Sequence, residues 1–357
     1  MRTTDQAKEH RLELLREEAK SQGRIEAPGV RPVGAPFPSG GALPEASAEA
    51  GYYGLPLLKD PPWIWTVPLY FFVGGAAGAS AIIAAAARAI EGETPLVRSA
   101  RVIAVAGAAA SPVLLIADLG RPARFLNMLR VIKPQSPMSV GVWTLVAFSA
   151  AVDSAAGVRY VLRATDAPRP LRALLNGAGV AADAAGAIFG SVIATYTGVL
   201  VGVSAIPVWS SNVRLLPFHF GASGLASASA MLELQHDHPA LHRIGAGAAA
   251  AETIVGVLIE LRNSRTQEPL KHGPSGRLTR LGGFLSGPAS LAIRLLAGRS
   301  RHGRRAAAIA SLVGSVVTRY AWVEAGKQSA RDPRGPLGLP AHTAALESAG
   351  DVTVPPT

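Results

Sequence analysis

Residues 64–87 read IWTVPLYFFVGGAAGASAIIAAAA, an apolar run without one charged side chain. A hydrocarbon core about 30 Å thick is crossed by roughly 20 such residues in a helix, so this stretch predicts a membrane span. Seven further apolar runs follow, at roughly 97–117, 139–161, 177–206, 213–235, 241–261, 278–297 and 305–326. The fold class expected is all-α, a polytopic integral membrane helical bundle of about eight transmembrane helices. The fourth run is long enough to tilt or to extend past the hydrocarbon. Pro68, Pro112, Pro217 and Pro288 predict kinks or irregular helix ends.

Composition agrees with that reading. Of 357 residues, 49% are hydrophobic and only 17% charged, against about 25% charged in soluble proteins. Aromatics are scarce at 6% while glycine contributes 38 residues, which predicts closely packed small-residue helices. Small residues recur four apart at Gly74/Gly78, Gly186/Gly190, Gly198/Gly202 and Gly283/Gly287, the spacing that lets helix backbones approach in lipid.

The net charge of +11 does not make a nucleic-acid binder. Its basic residues sit in short stretches between apolar runs, as at Arg121/Arg124/Arg130/Lys133 and Arg299/Arg301/Arg304/Arg305, where membrane proteins carry them for topology. Counted loop by loop, the two sides balance too closely to fix the orientation.

Three regions result. Residues 1–62 form a polar, Pro/Gly-rich extension, opening with a short charged helix over Asp5–Lys20 and lacking a cleavable signal peptide; it reads as a flexible tail or a partner-docking segment. Residues 63–327 form the transmembrane domain, and residues 328–357 a C-terminal tail.

The chain has no cysteine, so it cannot ligate an all-cysteine iron–sulphur cluster. Haem held by two histidines needs two imidazoles inside the bundle, and of the eight histidines only His219 lies well within a span. Neither haem nor an iron–sulphur cluster is therefore expected in this chain. Glu233, His236, Asp237, His238 and His242 admit a metal-site reading, but Pro239 interrupts them and an interfacial loop explains them better. Ionisable residues deep in spans are costly and mark function or helix pairing; Asp183 and Glu252 are the deepest, while Asp153, Glu233, Glu260, Arg294, Arg319 and Glu324 lie nearer the ends, where they snorkel or pair. Trp143 reads as an interface anchor.

The most distinctive stretch is DLGRPARFLNMLRVIKPQSPMS, residues 118–139. Gly120 and Pro122 break the helix, Asp118 has Arg121 and Arg124 as candidate ion-pair partners, and Phe125, Leu126, Met128 and Leu129 predict an amphipathic return.

This stretch resembles the signature of the NrfD/PsrC family, the membrane subunits of nitrite, polysulfide and related respiratory reductases. WTVPLYFFVGGAAG (65–78), YTGVLVG (196–202) with IPVW (206–209), LPF (216–218), SGLAS (223–227), and Arg319-Tyr320 near the C-terminal end extend the likeness over about residues 60–335. The resemblance implies a multi-pass subunit of the plasma (inner) membrane exchanging electrons between a quinone pool, menaquinone or ubiquinone, and a ferredoxin-like iron–sulphur subunit. That partner would serve a molybdopterin oxidoreductase or a multihaem cytochrome. The resemblance places the quinone pocket in the first four-helix half, where Tyr70, Asp183 and Tyr196 are candidates; Asp118, Arg121 and Arg124 carry over as motif residues shaping the pocket or its loop. For each tyrosine an interhelical aromatic role stands beside quinone contact. The alternatives are a proton-conducting or transporter-type subunit lined by Asp183 and Glu252, and a pure anchor.

Overall fold

The computed structural model describes residues 58–262 and 264–332; the expected Asp5–Lys20 helix and most of the C-terminal tail lie outside them. Pro62–Gln328 forms one compact unit. Residues 58–61 and 329–332 belong to a second unit, in which Arg331 pairs with Asp60 at 2.6 Å.

Every regular element among the described residues is helical. The long helices are α1 (Thr66–Glu91), α2 (Pro95–Asp118), α4 (Pro137–Ala164) and α5 (Arg169–Gly202), with the short α3 (Arg124–Leu129) between α2 and α4. After a one-turn α6 (Pro207–Ser210) come α7 (Leu216–Glu233) and α8 (Pro239–Glu260). A short α9 (Glu268–Lys271) leads into α10 (Gly273–Phe284), a π-helical turn at Leu285–Ala289, α11 (Ser290–Ala297) and the long α12 (Arg301–Arg331).

Proline sets many of the starts. Pro95 and Pro137 occupy first helical positions, where no N–H is needed, behind caps in which Thr94 Oγ1 accepts the Val97 amide at 3.3 Å and Ser136 Oγ the Ser139 amide at 3.5 Å. Pro68 and Pro217 lie in the first turns of α1 and α7 and kink nothing, while Pro112 sits inside a continuous α2. Pro288 does disturb its helix. It has no N–H for the Phe284 carbonyl, its ring crowds that carbonyl, and the backbone widens into the π turn.

Six helices among the described residues are long and apolar enough to cross a membrane: α1, α2, α4, α5, α8 and α12. The fifth and seventh expected runs are also helical, but more polar. Helix α7 carries His219, Ser223, Ser227, Ser229 and Glu233, and the seventh run is interrupted by the π turn and carries Arg280 and Arg294. Helix α5, at 34 residues, is about 51 Å long, longer than the hydrocarbon is thick, and its first turns are exposed.

Helix α1 is the axis of the bundle, packing on α2, α5 and α7. Its approach to α5 is through backbone: a Cβ placed on Gly190 would stand 2.6 Å from the Gly78 carbonyl oxygen, and one on Gly78 would collide with that of Gly190. On its other side a Cβ on Gly224 of α7 would come within 2.8 Å of the Gly75 carbonyl. Between the helices the core is small and mostly aliphatic, as in the cluster Ala77, Ala81, Ala104, Ala108, Leu145, Phe148, Val152 and Ile193. Buried serines tie α12 to its neighbours, Ser315 bonding Ser223 at 2.6 Å and Ser227 at 2.9 Å, and Ser311 bonding Ser290 at 2.7 Å. Hydroxyl pairs of this kind join helices where lipid offers no competing partner.

Candidate functional site

At one end of the bundle, α1, α2, α4 and α5 leave a cleft that α3 partly covers. Its volume is about 140 Å³, close to the roughly 150 Å³ apolar cavity that takes up one benzene. Val67, Phe71, Leu115, Leu119, Phe125, Met128, Met138 and Leu200 make its walls apolar, and Tyr70, Asp118 and Tyr196 are its polar members. A groove of about 220 Å³ adjoins it, sharing Met128, Met138 and Val142 and running past Val131 and Lys133.

Each polar member is positioned by its own helix. Tyr70, in the second turn of α1, is 3% exposed; among the described residues its hydroxyl has no hydrogen-bond partner. Tyr196, near the C-terminal end of α5, donates its hydroxyl to the carbonyl of Pro137 at the start of α4. Its ring lies against Gly141, where any Cβ would overlap it. Asp118 is the last residue of α2, half-buried, and its Oδ1 accepts the backbone amide of Ile64 at 2.9 Å. That bond leaves Oδ2 uncommitted. Gly120, at φ +64°, turns the chain out of α2, a conformation a side chain would strain. The following segment is the expected amphipathic return: Phe125 and Met128 face the cleft while Leu126 is 64% exposed.

Among the described residues no ion pair joins Asp118 to Arg121 or Arg124. Both arginines are exposed, on the connecting loop and the first turn of α3. The Ile64 amide, 54 residues away, takes the place foreseen for them.

Asp183 lies elsewhere. Arg101 grips it with two bonds, Nε to Oδ1 at 3.1 Å and Nη2 to Oδ2 at 3.0 Å, and Arg88 binds Oδ2 as well. Glu93 joins the same cluster through Arg101 at 2.7 Å and Arg159 at 3.7 Å. Arg88 is eighteen residues along α1 from Tyr70, about 27 Å, so this cluster occupies the opposite end of the bundle from the cleft.

Trp63, Phe71, Met138 and Leu200 were not foreseen as site residues. Trp63 stacks on Trp209 at 5.2 Å and meets Phe71 edge-on at 5.7 Å. An aromatic directly after Pro61-Pro62 and just ahead of a span was the available signal, since such residues favour membrane interfaces.

A second cavity, of about 340 Å³, lies between α7, α8, the π turn and α12. Glu252, Ser286, Thr318 and His219 line it, and both Glu252 oxygens, Ser286 Oγ, Thr318 Oγ1 and His219 Nδ1 are buried there without hydrogen-bond partners. Arg319, expected to snorkel or pair, is 1% exposed. Its Nη2 donates to the Phe220 carbonyl at 2.9 Å and its guanidinium lies 3.8 Å above the Phe220 ring.

The acidic and histidine residues at the α7–α8 junction are engaged with each other and with arginines. His242 bonds Glu233 at 3.1 Å and Asp237 at 3.0 Å, Arg294 bonds Glu233 at 2.5 Å, and His238 bonds Glu91 at 3.0 Å. The His242 bond, aided by Arg304, holds the exposed Asp237 carboxyl below its usual pKa. Among the described residues no group of three or more His, Asp or Glu is arranged to hold a metal ion.

Comparison with known proteins places the chain. A protein-family model described as "Polysulphide reductase, NrfD" matches residues 57–235, half of the sequence and the whole of the segment from Trp63 through α7. No match was found among curated proteins.

Proposed function

The chain belongs to the polysulphide reductase NrfD family, and from that membership we propose that it is the quinone-interacting membrane subunit of a respiratory oxidoreductase. Apolar helices and family together make it a multi-pass membrane protein. In the reading proposed here all eight helical runs cross the plasma membrane. The single observation that carries the quinone assignment is the cleft: three of the six expected site residues, Tyr70, Asp118 and Tyr196, line one apolar cavity of single-ring size.

The residues present fit a quinone. The cleft accepts the carbonyl-bearing ring of a quinone headgroup, menaquinone or ubiquinone in class, and the adjoining groove past Met128 and Met138 accepts the rest of the molecule with its isoprenoid tail. When bound, the quinone supplies two-electron, two-proton carrier chemistry. Tyr70 offers a hydroxyl donor to one carbonyl oxygen. Asp118 holds or receives a proton at Oδ2 while Ile64 fixes its orientation. Tyr196, already donating to Pro137, shapes the wall. Phe125 and Met128 exclude water, which strengthens the few polar contacts within. Arg121 and Arg124, exposed beside the cleft, present positive charge to a ferredoxin-like iron–sulphur subunit, through which electrons pass to or from a molybdopterin or multihaem partner.

Quinones quench tryptophan emission, and Trp63 lines the cleft. Titrating a short-tailed quinone into the detergent-solubilised chain is expected to give saturable quenching, weakened about tenfold in apparent affinity by Tyr70→Phe, the loss of roughly one buried hydrogen bond. Linear, unsaturable quenching in the parent protein would remove the site.

A proton-conducting role has its own observation, the buried carboxylate of Glu252 facing the second cavity. The cavity has room for water, and Glu252, Ser286, Thr318 and His219 converge on it as the polar partners a buried water needs; a wetted carboxylate is a proton carrier. Glu252→Gln is expected to cut proton uptake by reconstituted vesicles severalfold while leaving quinone quenching intact; unchanged uptake would exclude this role.

A further inference from the structure

The geometry points to a binding site for the phosphate headgroup of an anionic phospholipid, at the end of the bundle opposite the cleft. It rests on the membrane location of the chain and not on the quinone assignment. Between α2 and α4 runs an open groove of about 290 Å³. Its floor is Val102, Val105, Ala106 and Ala156, and its head is Arg98, Arg101, Arg159 and Arg163.

Charge in this region is uncompensated. With Arg88, four guanidinium groups stand around two carboxylates, Glu93 and Asp183, and Arg98 adds a fifth positive charge at the groove. Asp183 is consumed by Arg88 and Arg101, and Glu93 is shared among four arginines at distances from 2.7 to 3.9 Å. Arg159 is the informative member. It is 8% exposed, its Nη1 donates to Asn176 at 2.8 Å, and its Nε and Nη2 are buried without a hydrogen bond. Gly179 of α5 leaves the room it occupies: a Cβ there would stand 2.7 Å from Nη2. Arg159 thus adds a fixed positive charge beneath the groove, while Arg98 and Arg163, exposed at its mouth, present the guanidinium donors that bond phosphate oxygens.

The surroundings select a lipid as the source of that phosphate. The arginines lie at the level of the last turn of α1, about 27 Å along it from Tyr70, and therefore near the hydrocarbon boundary. Val102, 67% exposed, and Ala106 continue from Arg98 along the same face of α2 toward mid-membrane, forming an acyl-chain track under the charged head. Basic pockets between helices bind acidic headgroups in this way.

The test uses the full chain, delipidated in mild detergent and offered phosphatidylglycerol, phosphatidylcholine or inorganic phosphate, with bound lipid counted by mass spectrometry. One phosphatidylglycerol per chain is expected, with phosphatidylcholine at least tenfold weaker. Arg98→Gln with Arg163→Gln, both exposed and remote from the cleft, is expected to weaken phosphatidylglycerol roughly tenfold; Arg163→Gln alone serves if the pair fails to accumulate. Ala156→Phe, which fills the groove, is expected to weaken phosphatidylglycerol without altering inorganic phosphate. Equal retention of both lipids, retention unchanged by the arginine variants, or an Ala156→Phe protein that binds phosphatidylglycerol normally would each overturn the assignment, the last by leaving free phosphate as the ligand.

Discussion

Replacing Asp118 by Asn is expected to lower quinol-linked electron transfer in membranes by about 100-fold, with the complex still assembled. The substitution is nearly isosteric, and the amide oxygen still accepts the Ile64 N–H that Oδ1 accepts at 2.9 Å. The end of α2 and the cleft wall therefore keep their shape. What disappears is the second oxygen's capacity to take or hold a proton, and positioned acid–base groups contribute about 10² to 10⁴ in rate. The measurement is turnover with a soluble quinol analogue, alongside co-purification of the iron–sulphur partner. Turnover within twofold of the parent would show that Asp118 is only a helix-end contact.

Gly78→Leu is expected to abolish accumulation of folded protein. Gly78 and Gly190 meet backbone to backbone where α1 crosses α5, so no rotamer of a larger residue avoids the opposing carbonyl. Separating the two helices would disturb the core that includes Ala77, Ala81 and Ile193. Overpacking costs about 1–3 kcal/mol where side chains can yield; here the obstacle is main chain, and a loss of at least about 3 kcal/mol, some 100-fold in folded population, is expected. Gly157→Leu is the control, since a Cβ there meets nothing within 4 Å. Similar detergent-stable yields of the two variants would contradict the packing argument.

The helices were legible because a span must be long and apolar, and those two properties survive in the sequence without any partner. The fifth and seventh runs fall short of the other six in apolarity for the same reason. Ser223, Ser227 and Ser229 lower the apolarity of α7, and Ser223 and Ser227 are satisfied by Ser315 on α12, a partner no local pattern reveals. For Arg319 the sequence leaves snorkelling and pairing open, and the Phe220 ring and carbonyl that hold it inside have no local signal. The partner of Asp118 was equally hidden, being a backbone amide brought near by the entry of the chain into α1. The separation of Asp183 from the cleft, in contrast, was readable. Asp183 and Tyr196 are thirteen residues apart on one helix, about 20 Å, too far to face the same headgroup.

The Asp183 cluster also bears on biogenesis. Arg88 belongs to α1, Arg101 to α2 and Arg159 and Arg163 to α4, whereas their second counter-charge arrives only with α5. A nascent chain halted after α4 would carry four guanidinium groups opposed by Glu93 alone. Emergence of α5 from the insertion machinery thus closes the circuit of charge. The charges of these four helices are therefore balanced as a set, and the last of them to be synthesised brings the carboxylate that Arg88 and Arg101 share.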